Sequence, residues 1–82
     1  MFHKVKEVKP LDNYILEITF QEGSIKHYDV SKLFEKLIAF QNLKTIKGLF
    51  EQVKVDEGGY GISWNEDIDL SCNELWENAL KT

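Results

Sequence analysis

Between Tyr14 and Gln21 the chain sets Tyr14, Leu16, Ile18 and Phe20 on one side of a period of two and Glu17, Thr19 and Gln21 on the other. Side chains along a strand point alternately to opposite faces, so this spacing is that of a strand with one face buried. Glu22-Gly23 follows, and glycine accepts the positive φ that a tight hairpin turn needs. Ser24 to Asp29 then returns as the partner strand. The register of this hairpin decides where His27 lies. A two-residue Glu22-Gly23 loop pairs residue 18 with 27 and turns His27 to the core beside Ile18. A three-residue loop pairs 20 with 24 and sends His27 to the opposite face.

Upstream, Val5 to Lys9 reads as a third strand, closed by Pro10 and the Asp12-Asn13 turn pair. Downstream the period changes. Val30, Leu33, Phe34, Leu37 and Ile38 stand at i, i+3, i+4, i+7 and i+8, one stripe of an amphipathic helix, with Asp29 or Ser31 able to cap its start. Residues 41–51 read as a loop with one short helical turn that tucks Phe50 under the sheet. Val53 and Val55 open another strand, Glu57-Gly58-Gly59 turns it, and Tyr60, Ile62 and Trp64 line the buried face of the next. Ser71-Cys72-Asn73-Glu74 matches the S-x-x-E capping box, in which Ser and Glu each satisfy a free backbone N–H. Cys72, Leu75, Trp76, Ala79 and Leu80 continue it with helical spacing. The predicted order is β-β-β-α-β-β-α. It describes an α+β, two-layer domain over residues 1–82, with two antiparallel hairpins, an N-terminal strand and two helices packed on one face.

Charge excludes several functions. All ten basic residues are lysines, the net charge is −4, and no arginine is present to form the bidentate forks that read base edges and clamp phosphates. Nucleic-acid binding through Lys4, Lys6, Lys9 and Lys54 is therefore not expected. The charge is also uneven: residues 56–82 hold one lysine against seven acids, a net −6. An acidic region of that kind is either a solvated face or the meeting surface for a basic partner. No apolar run approaches the ~18–20 residues of a membrane span, and Met1 to Lys6 has no apolar leader segment. The chain thus reads as a cytoplasmic protein with no membrane association.

Catalytic templates fail one by one. Cys72, the single cysteine, lies on the apolar stripe of the last helix, where a free thiol packs as a small hydrophobe. A first-turn position would favour the thiolate, but no His, Asn or Asp signature accompanies it in the sequence. Glu66, Asp67 and Asp69 sit in the loop before the last helix, with Asp56 and Glu57 in the preceding hairpin turn, yet the EF-hand spacing is missing. Gly58-Gly59-x-Gly61 stands between strands, so no helix N-terminus follows it to receive phosphate. The expectation is a protein that is not an enzyme and needs no cofactor and no metal. Its surface of interest would be the acidic set Glu66, Asp67, Asp69, Glu74 and Glu77, facing a basic protein partner, with self-association open. An alternative is a small-molecule or cryptic enzymatic site around His27, Tyr28 and Asp29.

Several of these residues also carry a resemblance. Leu16-x-x-x-Phe20-x-x-Gly23 with Tyr28-Asp29-Val30, then Phe50-x-x-Val53-x-Val55-Asp56, Ile62-x-Trp64-x-x-x-x-Asp69-Leu70 and Leu75, resemble the bacterial domain-of-unknown-function family 2442 over about residues 3–78. The family has no established activity, so the resemblance transfers no catalytic residue. Some members sit beside a second small gene in pairs that look like toxin–antitoxin modules, which implies a partner-binding, antitoxin-like role.

Overall fold

The computed structural model describes residues 2–81. Its strands are β1 (Val5–Pro10), β2 (Ile15–Phe20), β3 (Ile25–Asp29), β4 (Lys54–Val55), β5 (Gly61–Asn65) and β6 (Ile68–Ser71), and its α-helices are α1 (Asn42–Thr45) and α2 (Cys72–Glu77). The strands form two antiparallel sheets, ordered β1-β2-β3 and β4-β5-β6, and the fold is α+β. Strand β1 lies against β4, which brings the two sheets together.

The first sheet follows from the alternation. Leu16, Ile18 and Phe20 are buried with Tyr28 from β3. Strand β1 carries a bulge at Lys6, because Val5 pairs with Phe20 while Glu7 pairs with Thr19. The four residues 11–14 join β1 to β2, with Asn13 and Tyr14 both at φ 61°. Between β2 and β3 the Phe20 N–H donates to the Ser24 carbonyl at 2.8 Å. That bond closes a three-residue loop in which Gly23 takes φ 109°. Of the two registers the sequence left open, this one pairs Ile18 with Lys26 and Glu17 with His27, so His27 stands on the outer face.

The second sheet is larger than the predicted hairpin. Ile62 and Trp64 are buried as expected, but Tyr60 is 48% exposed because it belongs to the turn and β5 begins only at Gly61. Gly59 closes that turn at φ 80°, where an added Cβ would stand 2.5 Å from the Val5 carbonyl oxygen, so the turn rests directly on β1. The stretch expected to be a loop before the last helix is instead a turn and a strand. The Asn65 side-chain oxygen accepts from the N–H groups of Asp67 at 2.9 Å and Ile68 at 3.0 Å, making the turn through its own side chain. Ile68 and Leu70 then point inward between the exposed Asp69 and Ser71.

The first expected helix, through Val30 to Ile38, is replaced by short 3₁₀ turns, and the last helix is shorter than expected. The Asp29 carboxylate caps a 3₁₀ turn at Val30–Leu33, accepting from the Ser31 N–H at 3.0 Å. The chain then turns extended at Leu37, with φ −127° and ψ 106°. The break leaves Ile38 82% exposed and lets Phe40 and Leu43 enter the core in its place. Helix α2 stops at Glu77, short of the predicted Ala79 and Leu80, because the chain leaves to lie along β3, where the Leu80 N–H donates to the His27 carbonyl at 2.7 Å. Lysines satisfy the carbonyls that end the helix: Lys32 Nζ donates to Asn78 at 2.8 Å and Lys26 Nζ to Trp76 at 3.4 Å. The buried side chains of both sheets, the connection and α2 form one contiguous cluster.

Candidate functional site

Turning through Asn65 places Glu66 and Asp67 at the exposed tip of the β5–β6 hairpin, with Asp69 exposed on β6 and Glu77 exposed on α2. Among the described residues the one contact between a carboxylate and a basic nitrogen within salt-bridge distance is Glu17 with His27, at 3.3 Å, so none of these four carboxylates is paired with a cation. Glu74 differs from the rest of the predicted acidic set. Its backbone N–H donates to Ser71 Oγ at 3.1 Å, half of the expected capping box. Its carboxylate does not reach back to the Ser71 N–H. Instead it accepts from the Tyr28 hydroxyl at 2.7 Å and the Asn78 side-chain amide at 2.9 Å.

The other predicted set, His27, Tyr28 and Asp29, does not converge on one site. Alternation along β3 separates them: His27 meets Glu17 on the outer face, Asp29 caps the following turn, and Tyr28 points into the core. Burial is the main reason that the Tyr28 phenol is held above its ordinary range, helped by the hydrogen bond to Glu74 and by the charges of Glu74 and Asp29. The Lys32 ammonium lies 4.6 Å from the centre of the Tyr28 ring.

Next to this pair runs a groove of about 400 Å³ between the 32–37 segment and the β6–α2 unit, lined by Lys32, Leu33, Lys36, Leu37, Leu70, Glu74 and Asn78. No motif in the sequence announced it, because its walls come from two stretches of the chain, residues 32–37 and residues 70–78, that are far apart in sequence. The only local signal was that Lys32 and Lys36 are four residues apart. A second recess, about 570 Å³, lies between β3 and the C-terminal residues and is lined in part by His27, Trp76 and Leu80.

The remaining candidates are quickly placed. Cys72 is buried at the start of α2. Among the described residues no group of three or more His, Cys, Asp and Glu side chains stands close enough to hold a metal ion. Lys6 and Lys9 are exposed on β1 and Lys54 on β4, while Lys4 lies 4.9 Å from the centre of the Tyr60 ring. Among the described residues no helix is long and apolar enough to cross a membrane. Sequence reasoning also missed Trp76 as a meeting point: the His3 ring stacks on it at 3.5 Å and the Lys26 ammonium sits 3.8 Å from its centre.

The sequence model of the family described as Protein of unknown function (DUF2442) matches residues 5–81. No curated protein and no solved structure matches the chain.

Proposed function

Since the chain belongs to the DUF2442 family, whose description assigns no function, we propose from its surface that it is a non-catalytic interaction module that binds a basic protein. In this reading it is the acidic, antitoxin-like member of a two-gene pair. The observation that carries the proposal is the β5–β6 hairpin: Glu66, Asp67 and Asp69 are exposed together on one short hairpin, and among the described residues none has a cationic partner. Unpaired carboxylates in high dielectric accelerate encounter with a positive surface, and the attraction is screened by salt. The cluster belongs to the region of residues 56–82 with net charge −6, so the field there is stronger than the whole-chain charge of −4 suggests.

The test is co-purification of the tagged protein with the product of the neighbouring gene at low salt. A stoichiometric basic partner is expected, released as salt is raised. Reversing Glu66, Asp67 and Asp69 to lysine is expected to abolish capture while changing stability by no more than about 0.5 kcal/mol for each exposed position. Capture that survives the reversal removes this hairpin from the interface.

A further inference from the structure

The groove beside Tyr28 has a chemical composition that the interaction reading does not use. Its floor is apolar, made by Leu33 and Leu70, and Leu37 at its rim is 45% exposed, although the spacing of the sequence places it in the core. Its polar side is cationic. Lys32 is held in place by the Asn78 carbonyl at 2.8 Å and by the Tyr28 ring, which leaves at least one of its three N–H donors free. Lys36 lines the same groove and, among the described residues, has no ion-pair partner. The one acid in the lining, Glu74, has each carboxylate oxygen occupied by a donor from the protein, Tyr28 or Asn78. On a chain of net charge −4 this is a local surplus of positive charge over an apolar trough. At about 400 Å³ it falls within the ~300–1,000 Å³ of small-molecule sites.

We propose that this groove binds a carboxylate with a short apolar tail, the carboxylate meeting Lys36 and Lys32 and the tail lying on Leu33, Leu37 and Leu70. A free short-chain acid and the C-terminal leucine of a peptide both present this chemistry. The proposal is independent of the basic partner, because the groove and the β5–β6 hairpin share none of their charged residues.

The experiment is an amide NMR titration of the intact protein with hexanoate, with N-acetyl-Ala-Leu bearing a free C-terminus, and with hexanol and the amidated peptide as uncharged counterparts. Shifts are expected at residues 32–37, Leu70 and Asn78 with the acids alone. Response to hexanoate but not to the peptide assigns a free acid, and response to the peptide assigns a C-terminal carboxylate. Lys36→Gln is expected to weaken binding about tenfold or more, whereas Lys47→Gln, an exposed lysine outside the groove, leaves it unchanged. Absent shifts, equal shifts with hexanol or the amide, or a Lys36→Gln variant that binds like the parent would each overturn the assignment. The hairpin reversal is expected to leave hexanoate binding intact, so failure of one proposal is distinguishable from failure of the other.

Discussion

Tyr28 is buried with its hydroxyl committed to Glu74, and the folded protein thereby acquires an alkaline limit. Below the ordinary tyrosine value of 10.0 the phenol is neutral in both folded and unfolded chains, and its full contribution is present. Above that value the unfolded chain releases the proton while the folded chain keeps it, so stability falls as pH rises. Urea unfolding of Tyr28→Phe is expected to show a shallower loss across the tyrosine range, and at neutral pH a cost of about 1.5–3 kcal/mol for the missing bond to a carboxylate. An unchanged alkaline slope would mean that the phenol is not held in this way. The pair was invisible in the sequence because its members stand 46 residues apart, and the local capping box assigned Glu74 a different partner. Glycines make a second contrast. Gly48 and Gly59 both have left-handed backbone, but a Cβ on Gly48 meets open space, whereas one on Gly59 meets the Val5 carbonyl. Gly48→Ala is expected to cost about 1–2 kcal/mol and Gly59→Ala a further ~1–3 kcal/mol for the overlap with β1. Equal urea midpoints for the two variants would contradict the close approach.

The segment from Val30 to Thr45 shows where periodicity alone misleads. A helical stripe through Leu37 and Ile38 accounts for the apolar spacing, but it would leave Phe40 outside the core. One extended residue at Leu37 instead exchanges the exposed Ile38 for Phe40, whose ring meets Trp64 edge-on at 5.9 Å. Burying an aromatic side chain outweighs keeping an aliphatic one in register. Phe40→Ala is therefore expected to destabilise by about 3–5 kcal/mol, and Ile38→Ala by no more than about 0.5 kcal/mol. The reverse order in denaturant unfolding would restore the continuous helix. Strands β1, β2 and β3 and the start of α2 were legible because each is specified within a few residues, by alternation, a turn glycine or a capping serine. Strand β6 was not, since four residues are too few to show a period. The end of α2 was also hidden, because Leu80 leaves the helix to meet the β3 backbone, a contact across more than fifty residues.

At the level of the entire chain, the α+β class and the acidic C-terminal third could be read from the sequence, and they are what the interaction proposal draws on. The groove could not, because its charge and shape arise only when the 32–37 segment meets β6 and α2. Both sheets feed a single buried cluster, so unfolding is expected to be one cooperative event, with far-UV circular dichroism and methyl NMR signals from both sheets sharing a midpoint. Two separated midpoints would show that the sheets fold independently. The two tryptophans have different surroundings within this unit. Trp64 is buried, its indole N–H donating to the Phe50 carbonyl at 2.9 Å. Trp76 lies between the His3 imidazole and the Lys26 ammonium, and both groups quench indole emission. The protein therefore carries its own pair of lamps, one reading the interior and one dimmed by the N-terminal arm, and brightening of the second without a red shift of the first would record the arm lifting away while the core stays closed.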